Sequence, residues 1–358
     1  MHAPHTPATR GAGAAVSVSG GAGRAVASWD ALIEASGRRE GNALLISEPP
    51  FVQSAQTPVW PLSQVIAAAM SLADAGTVAF DIEVDRLLAG LERHRRGDAY
   101  TAHPRERLRY YDDNAWVGLG LAQWHTQRGR GRDLAAARRL FAFAAAGEHR
   151  DGGVHWREGT REPRNTCSTA PAAQLALRIH GLTGEPGLVE FAARADRFLS
   201  ETLESPQGLM WDHVDADGTV ERTVWSYNQG STVSARVLLG RATGDARHVR
   251  SAQALADATL EHFGRDDGWW RQPAVFNAIC LRNLVSAAAI APEIGRDRIH
   301  ATLADYLDRV WEEAREDETG LFVNGGIGRY DQSCIDQAGI TQLYALSAWP
   351  RDRLHLVA

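Results

Sequence analysis

The sequence predicts an all-α protein, an (α/α)6 barrel with six inner and six outer helices, and three observations carry that prediction. Helical periodicity recurs from residue 60 to the C-terminus, while alternating strand patterns are scarce. Two kinds of helix alternate, one charged on a single face and one rich in Ala, Gly and Leu. The second kind recurs six times, at intervals of 52, 53, 63, 49 and 59 residues, a period that marks a stacked or closed array of helix pairs. Helices apolar almost all round are buried, and those with one charged face are outer. Near-equivalent repeats at both chain ends favour a closed toroid over an open solenoid.

In chain order, residues 1–27 are mostly Ala, Gly, Ser and Thr and read as a disordered tail. The stretch from Gly11 to Ala27 is too glycine-rich for a secretion signal. Residues 28–358 form a single barrel domain. Trp29–Arg38 is the candidate for one outer helix. The others are Asp81–Arg96, Asp133–Ala146, Glu185–Leu203, Asp245–Phe263 and Arg296–Ala314. Most open on an acidic residue at a plausible N-cap, facing the positive end of the helix dipole. Inner helices begin near Trp60, Asp112, Asn165, Asn228, Asn277 and Asp336. Similar turns follow three of them: TQRGRGRD at 126–133, HGLTGEP at 180–186 and GRATGDA at 240–246. In such a ring the inner helices run the same way, so their N-terminal ends and the loops before them gather around one cleft.

Composition narrows the chemistry. With 38 basic and 44 acidic residues in 358, the net charge of −6 disfavours a nucleic-acid surface. All the basic residues are Arg, and the absence of Lys removes Schiff-base, pyridoxal-phosphate and phosphate-loop chemistry. No apolar run approaches the ~20 residues of a membrane span. Cys167, Cys280 and Cys334 stand far apart, against a disulfide framework or a thiolate zinc site and in favour of a reducing, cytoplasmic location. No cofactor is expected.

The strongest local signal is Tyr110-Tyr111-Asp112-Asp113-Asn114-Ala115-Trp116. Two adjacent carboxylates opening a buried apolar helix are costly unless hydrogen-bonded or catalytic. A structural alternative has one Asp capping the helix and the other paired with Arg107 or Arg109. The flanking Tyr110, Tyr111 and Trp116 suit sugar binding instead, with rings stacking on C–H faces and polar groups bonding hydroxyls. Retaining glycosidases hold their two carboxyls ~5–5.5 Å apart and inverting ones ~6.5–9.5 Å apart. Consecutive Cα atoms lie only ~3.8 Å apart, so the pair fits retention. Like-charge proximity would also separate the two pKa values, as an acid and a nucleophile require.

A second cluster, Asp151-Gly152-Gly153-Val154-His155-Trp156, turns tightly and brings Trp156 towards the cleft. His149 and His155 lack metal-ligand spacing, and no metal is expected. Asn165, and then Trp225-Ser226-Tyr227-Asn228-Gln229-Gly230, supply amides that either cap helices or hold sugar hydroxyls. Trp211, beside Asp212, and Phe276 add aromatics before inner-helix starts, whereas Trp29, Trp124, Trp311 and Trp349 read as core. The candidate substrate-binding set is therefore Tyr110, Tyr111, Asn114, Trp116, Trp156, Asn165, Trp211, Tyr227, Asn228, Gln229 and Phe276. No GxSxG, HExxH, GxGxxG or EF-hand pattern occurs, and DDxxD spacing is absent because positions 116 and 117 are Trp and Val.

With YYDDNAW, GGVHW, the Asn165 segment and WSYNQG in that order, the chain resembles glycoside hydrolase family 76, the α-1,6-mannanases, from about Trp60 to Trp349. The resemblance implies an (α/α)6 barrel, a retaining mechanism and α-1,6-linked mannan or mannooligosaccharides as substrate. It also implies Asp112 as nucleophile and Asp113 as general acid/base. One departure stands out: Val275-Phe276-Asn277-Ala278-Ile279 replaces an FKGIF-like segment, so the family's Lys is missing. Two rival readings are a sugar epimerase on the same barrel, with His155 and His213 as the candidate bases, and a non-catalytic glycan-binding protein.

Overall fold

The computed structural model describes residues 20–48, 56–75, 80–159, 163–323 and 333–357. Outer helix α1 (Gly21–Ser36) comes first, followed by the hairpin β1 (Gly37–Glu40) and β2 (Ala43–Ile46). Inner and outer helices then alternate: α2 (Val59–Asp74), α3 (Phe80–Leu91), α4 (Tyr111–Arg128), α5 (Gly131–Ala145), α6 (Thr166–Thr183) and α7 (Pro186–Phe198). The pattern continues through α8 (Ser226–Thr243), α9 (Ala246–Phe263), α10 (Ala274–Ile290), α11 (Arg296–Arg309) and α12 (Cys334–Ser347). Each even-numbered helix packs on the next, and α12 returns to α2, so the inner ring is closed. Each outer helix from α3 to α11 packs on the inner helix before it, and α1 packs on α12. This is the (α/α)6 barrel.

Two details differ from the sequence reading. The tail was placed at 1–27, but residues 21–27 belong to α1, with Gly23 and Ala25 buried; residues 1–19 lie outside the described residues. Among the acidic residues read as caps, Asp245 does cap α9, accepting from the Arg247 N–H at 2.9 Å. Asp81 and Asp133 instead lie inside the first turns of α3 and α5, and Glu185 precedes α7 without a side-chain cap. The three similar turns share one cause. Gly129, Gly184 and Gly244 end α4, α6 and α8 in the left-handed region at φ 68°, 74° and 71°, where glycine pays no Cβ penalty.

The inner helices are fixed to the loops before them by a recurrent contact at the fourth residue. Asn114 of α4 accepts from Tyr100 N–H and donates to the Tyr100 and Tyr110 carbonyls. Gln229 of α8 accepts from Met210 N–H and donates to the Met210 and Trp225 carbonyls. Gln337 of α12 clasps Phe322 in the same way. Thr169 of α6 accepts from Val154 N–H, and Asn277 of α10 donates to the Trp269 carbonyl. Buried loop amides find partners here that solvent cannot supply.

Short strands join the loops into one platform. β3 (Arg95–Arg96) pairs with β4 (Ala99–Tyr100). β5 (Arg164–Asn165), β6 (His213–Val214) and β7 (Val220–Glu221) form a small antiparallel sheet. Tyr111 N–H donates to the Trp156 carbonyl at 3.0 Å, tying the start of α4 to the loop before α6. Among the described residues no helix is long and apolar enough to cross a membrane.

Candidate active site

The N-terminal ends of α2, α4, α6, α8 and α10 open on a cavity of about 760 Å³. Asp112 and Asp113 are the second and third residues of α4, and Trp116 lies one turn further along the same face. All three line the cavity, as do Tyr110, Trp156, Asn165, Tyr227 and Phe276.

The two carboxyls stand in different surroundings. Asp112 Oδ1 accepts from the Asp113 N–H at 3.0 Å. Its Oδ2 accepts from Trp156 Nε1 at 3.2 Å and from Cys167 Sγ at 3.6 Å. Burial raises the Asp112 carboxyl to about 6, and these donors restrain the rise. Among the described residues no donor reaches Asp113. Burial, and then the negative charge of Asp112, holds its carboxyl well above the usual range. One partner is thus equipped to be ionised and the other to hold a proton, the division that acid and nucleophile roles need.

Aromatic rings flank the pair. Tyr110 and Trp156 lie 4.8 Å apart between centroids, and Trp156 is 40% exposed at the rim. Tyr227 and Phe276 pack at 4.2 Å, with Trp60 against Phe276 at 6.2 Å. Among the described residues no donor reaches the buried Asn165 Oδ1, which leaves it as an acceptor for a ligand hydroxyl.

Five sequence candidates take other positions. Asn114 and Gln229 are fully buried, and their amides clasp loop backbone as described above. Tyr111 turns away from the cleft and stacks on Phe143 of α5 at 4.9 Å. Trp211 turns its ring to Arg222, whose guanidinium carbon lies 5.0 Å from the centroid. Asn228 sits behind the cleft, donating to Asp212 Oδ1 at 3.3 Å. Asn277, where the family's Lys was expected, is also buried; it donates to the Trp269 carbonyl and accepts from Ser226 Oγ at 3.0 Å.

Several cavity residues were missed as candidates: Asp212, Cys167, His103 and Trp60. Asp212 directly follows Trp211, and the residue beside the one selected faces the cleft. His213 Nδ1 pairs with Asp212 Oδ2 at 3.0 Å and also lines the cavity. His155 does not line it, but packs on His149 at 5.7 Å, so the pair of bases that an epimerase would need is not assembled from His155 and His213. Among the described residues no group of His, Cys, Asp and Glu could hold a metal ion.

A closed α/α ring that presents two consecutive acids, differently hydrogen-bonded, in an aromatic-lined cleft is the architecture of a glycoside hydrolase. The family match makes the assignment specific: residues 48–347 match Glycosyl hydrolase family 76, and the chain belongs to that family. A family 76 mannosidase from Bacteroides thetaiotaomicron superimposes with a TM-score of 0.81 at 22% identity, over 92% of this chain and 98% of that one. An α-1,6-mannanase of Salegentibacter sp., solved as an inactive variant with two consecutive aspartates replaced by asparagine and in complex with α-1,6-mannotriose, gives 0.77 at 18% identity. That similarity covers 92% of this chain and 99% of the other. At these identities the likeness concerns the fold. The meiotically up-regulated gene 191 protein of Schizosaccharomyces pombe is 30% identical over 147 residues, 36% of this chain and only 33% of the relative's own length.

Proposed function

We propose that this glycoside hydrolase cleaves α-1,6-mannosidic linkages in mannan or mannooligosaccharides with retention of configuration. The observation that carries the reading is the unequal environment of two consecutive carboxyls in one cleft. Asp112, with three donors on its oxygens, is the nucleophile: it attacks the anomeric carbon and forms a glycosyl ester. Asp113, kept protonated by burial and by its neighbour, gives its proton to the departing glycosidic oxygen. It then takes a proton from the water that cleaves the ester, which restores both groups. Asn165 and Asp212 supply acceptors for sugar hydroxyls, and Tyr110, Trp156, Tyr227 and Phe276 supply stacking surface.

The linkage rests on family membership and on the Salegentibacter mannanase, a protein of this fold that was rendered inactive at two consecutive aspartates and binds α-1,6-mannotriose. The test is proton NMR of a short α-1,6-mannooligosaccharide during early turnover. Release of the α-anomer first is the expected result. First-formed β-anomer would remove the nucleophile role of Asp112, and absence of cleavage, with other α-mannosides cleaved, would remove the linkage.

A further inference from the structure

We propose that Cys167 is a positioning residue for this reaction, its thiol donating to the catalytic oxygen of Asp112. The inference rests on Asp112 being the nucleophile.

Cys167 is the second residue of α6 and lines the cleft, with Sγ 3.6 Å from Asp112 Oδ2. Tyr227 lines the same cleft. The other two cysteines have different surroundings: Cys334 donates to Glu48, and Cys280 lies under Gly230. Burial and the nearby charges of Asp112 and Asp212 hold the Cys167 thiol well above its ordinary range, and burial does the same for the Tyr227 hydroxyl. Both groups are therefore neutral at working pH. A neutral thiol beside a carboxylate can only donate, so the direction of the contact is fixed: S–H to carboxylate.

The arrangement has a chemical purpose. Asp112 must stay ionised and must not rotate, yet its oxygens must remain nucleophilic. Asp113 N–H fixes one oxygen, while Trp156 and Cys167 fix the other from two sides. A thiol is a weak donor. It holds the oxygen while withdrawing less charge than a hydroxyl would.

Besides Asp112 and Cys167, the titratable groups sharing this cavity are Asp113, Tyr110, Asp212, His213, Tyr227, His103 and Glu106, and Arg282 lies beneath Trp116 at 5.3 Å. Substituting Cys167 changes none of them, so a change in the acid limb of the pH profile reports on the contact itself. The experiment compares kcat and kcat/KM against pH for the wild type, Cys167→Ala and Cys167→Ser, using α-1,6-mannotetraose. Loss of a donor to the ionised form should move the acid limb of Cys167→Ala upward by roughly 0.5–1 pH unit, with kcat several-fold lower. Cys167→Ser restores a donor, and its acid limb should return to the wild-type position or below.

An acid limb in Cys167→Ala that coincides with wild type, while Asp112→Asn is inactive, overturns the positioning role alone. Full turnover in Asp112→Asn overturns the nucleophile reading on which it stands. Should Cys167→Ala fold poorly, the S–H stretch decides the matter, isolated as the infrared difference between wild type and Cys167→Ser. It is expected at a hydrogen-bonded frequency and should rise in Asp112→Ala; an unchanged frequency overturns the contact.

Discussion

Asp112 and Asp113 are the same residue type, one position apart on one helix, and the rotation of about 100° per residue gives them different neighbours. Asp112 meets the Trp156 indole and the Cys167 thiol, while Asp113 meets none of the described donors and feels its neighbour's charge. Asp112→Asn and Asp113→Asn should each lower kcat by at least ~10³-fold while the fold is kept, as judged by circular dichroism and steady-state assay. The activity of the wild type should fall below pH of about 6, where Asp112 gains its proton. The stability sign is the opposite of the usual carboxylate case. Both groups bind protons more tightly in the folded state, so folding is favoured at low pH and loses support as pH rises from about 4 through about 6. The Tm advantage of Asp112→Asn over wild type should therefore be small at pH 4 and widen by pH 7; a constant or shrinking gap contradicts it. The acid pair and Asn165 were legible in the sequence because an acid or amide at the head of a buried helix is conspicuous, and Trp156 because the Gly152-Gly153 turn before it points it to the cleft. Gln229 and Asn114 were misread for the same reason. An amide at a helix start looks alike whether it faces a ligand or clasps a loop, and only the rotation of the helix in the ring separates the two.

The helices were legible as elements because each carries its own burial pattern, all-round for the inner ring and one-sided for the outer. What the pattern does not contain is how closely two inner helices approach. Gly230 of α8 shows this: a Cβ there would lie 2.5 Å from the Cys280 Cα of α10 and 2.7 Å from its carbonyl oxygen. The obstacle is backbone, which cannot rotate aside. Gly230→Ala should cost about 3 kcal/mol, the upper part of the range for overpacking a core. Gly120 of α4 is the contrasting case, since a Cβ would meet only the Met70 sulfur at 3.9 Å, an ordinary contact. Gly120→Ala should be neutral or stabilise by up to ~1 kcal/mol through helix propensity. Urea denaturation of the two variants checks both signs. Equal effects would mean that composition, and not interhelical spacing, sets the tolerance of the inner ring.

A toroid has no free end only if the first and last repeats meet, and here α1 supplies the outer partner that α12 would otherwise lack. The segment GAGRAVASW is so rich in small residues that its composition suggests a tail, yet those small residues are what let α1 lie close against α12, with Ala25 fully buried. Trp29 anchors the junction: it is 4% exposed and meets Phe80 of α3 edge-on at 5.4 Å. Arg24 pairs with Asp308 of α11 at 2.7 Å, and Trp349 Nε1 donates to the Ser71 carbonyl of α2 at 2.8 Å. Helix α1 and the residues after α12 are thus stitched to neighbours on both sides of the seam. In an open array, stability is nearly a sum of local terms and damage at one end remains there; in a closed ring each helix pair depends on both neighbours. Trp29→Ala removes a buried indole and should cost about 3–5 kcal/mol. If the ring unfolds as a unit, that loss appears everywhere, so amides in α6 and α8 on the far side should exchange ~10²-fold faster or more under conditions of global opening. Faster exchange confined to α1, α2 and α12 would instead show that the seam opens on its own, leaving an arc with the cleft still formed.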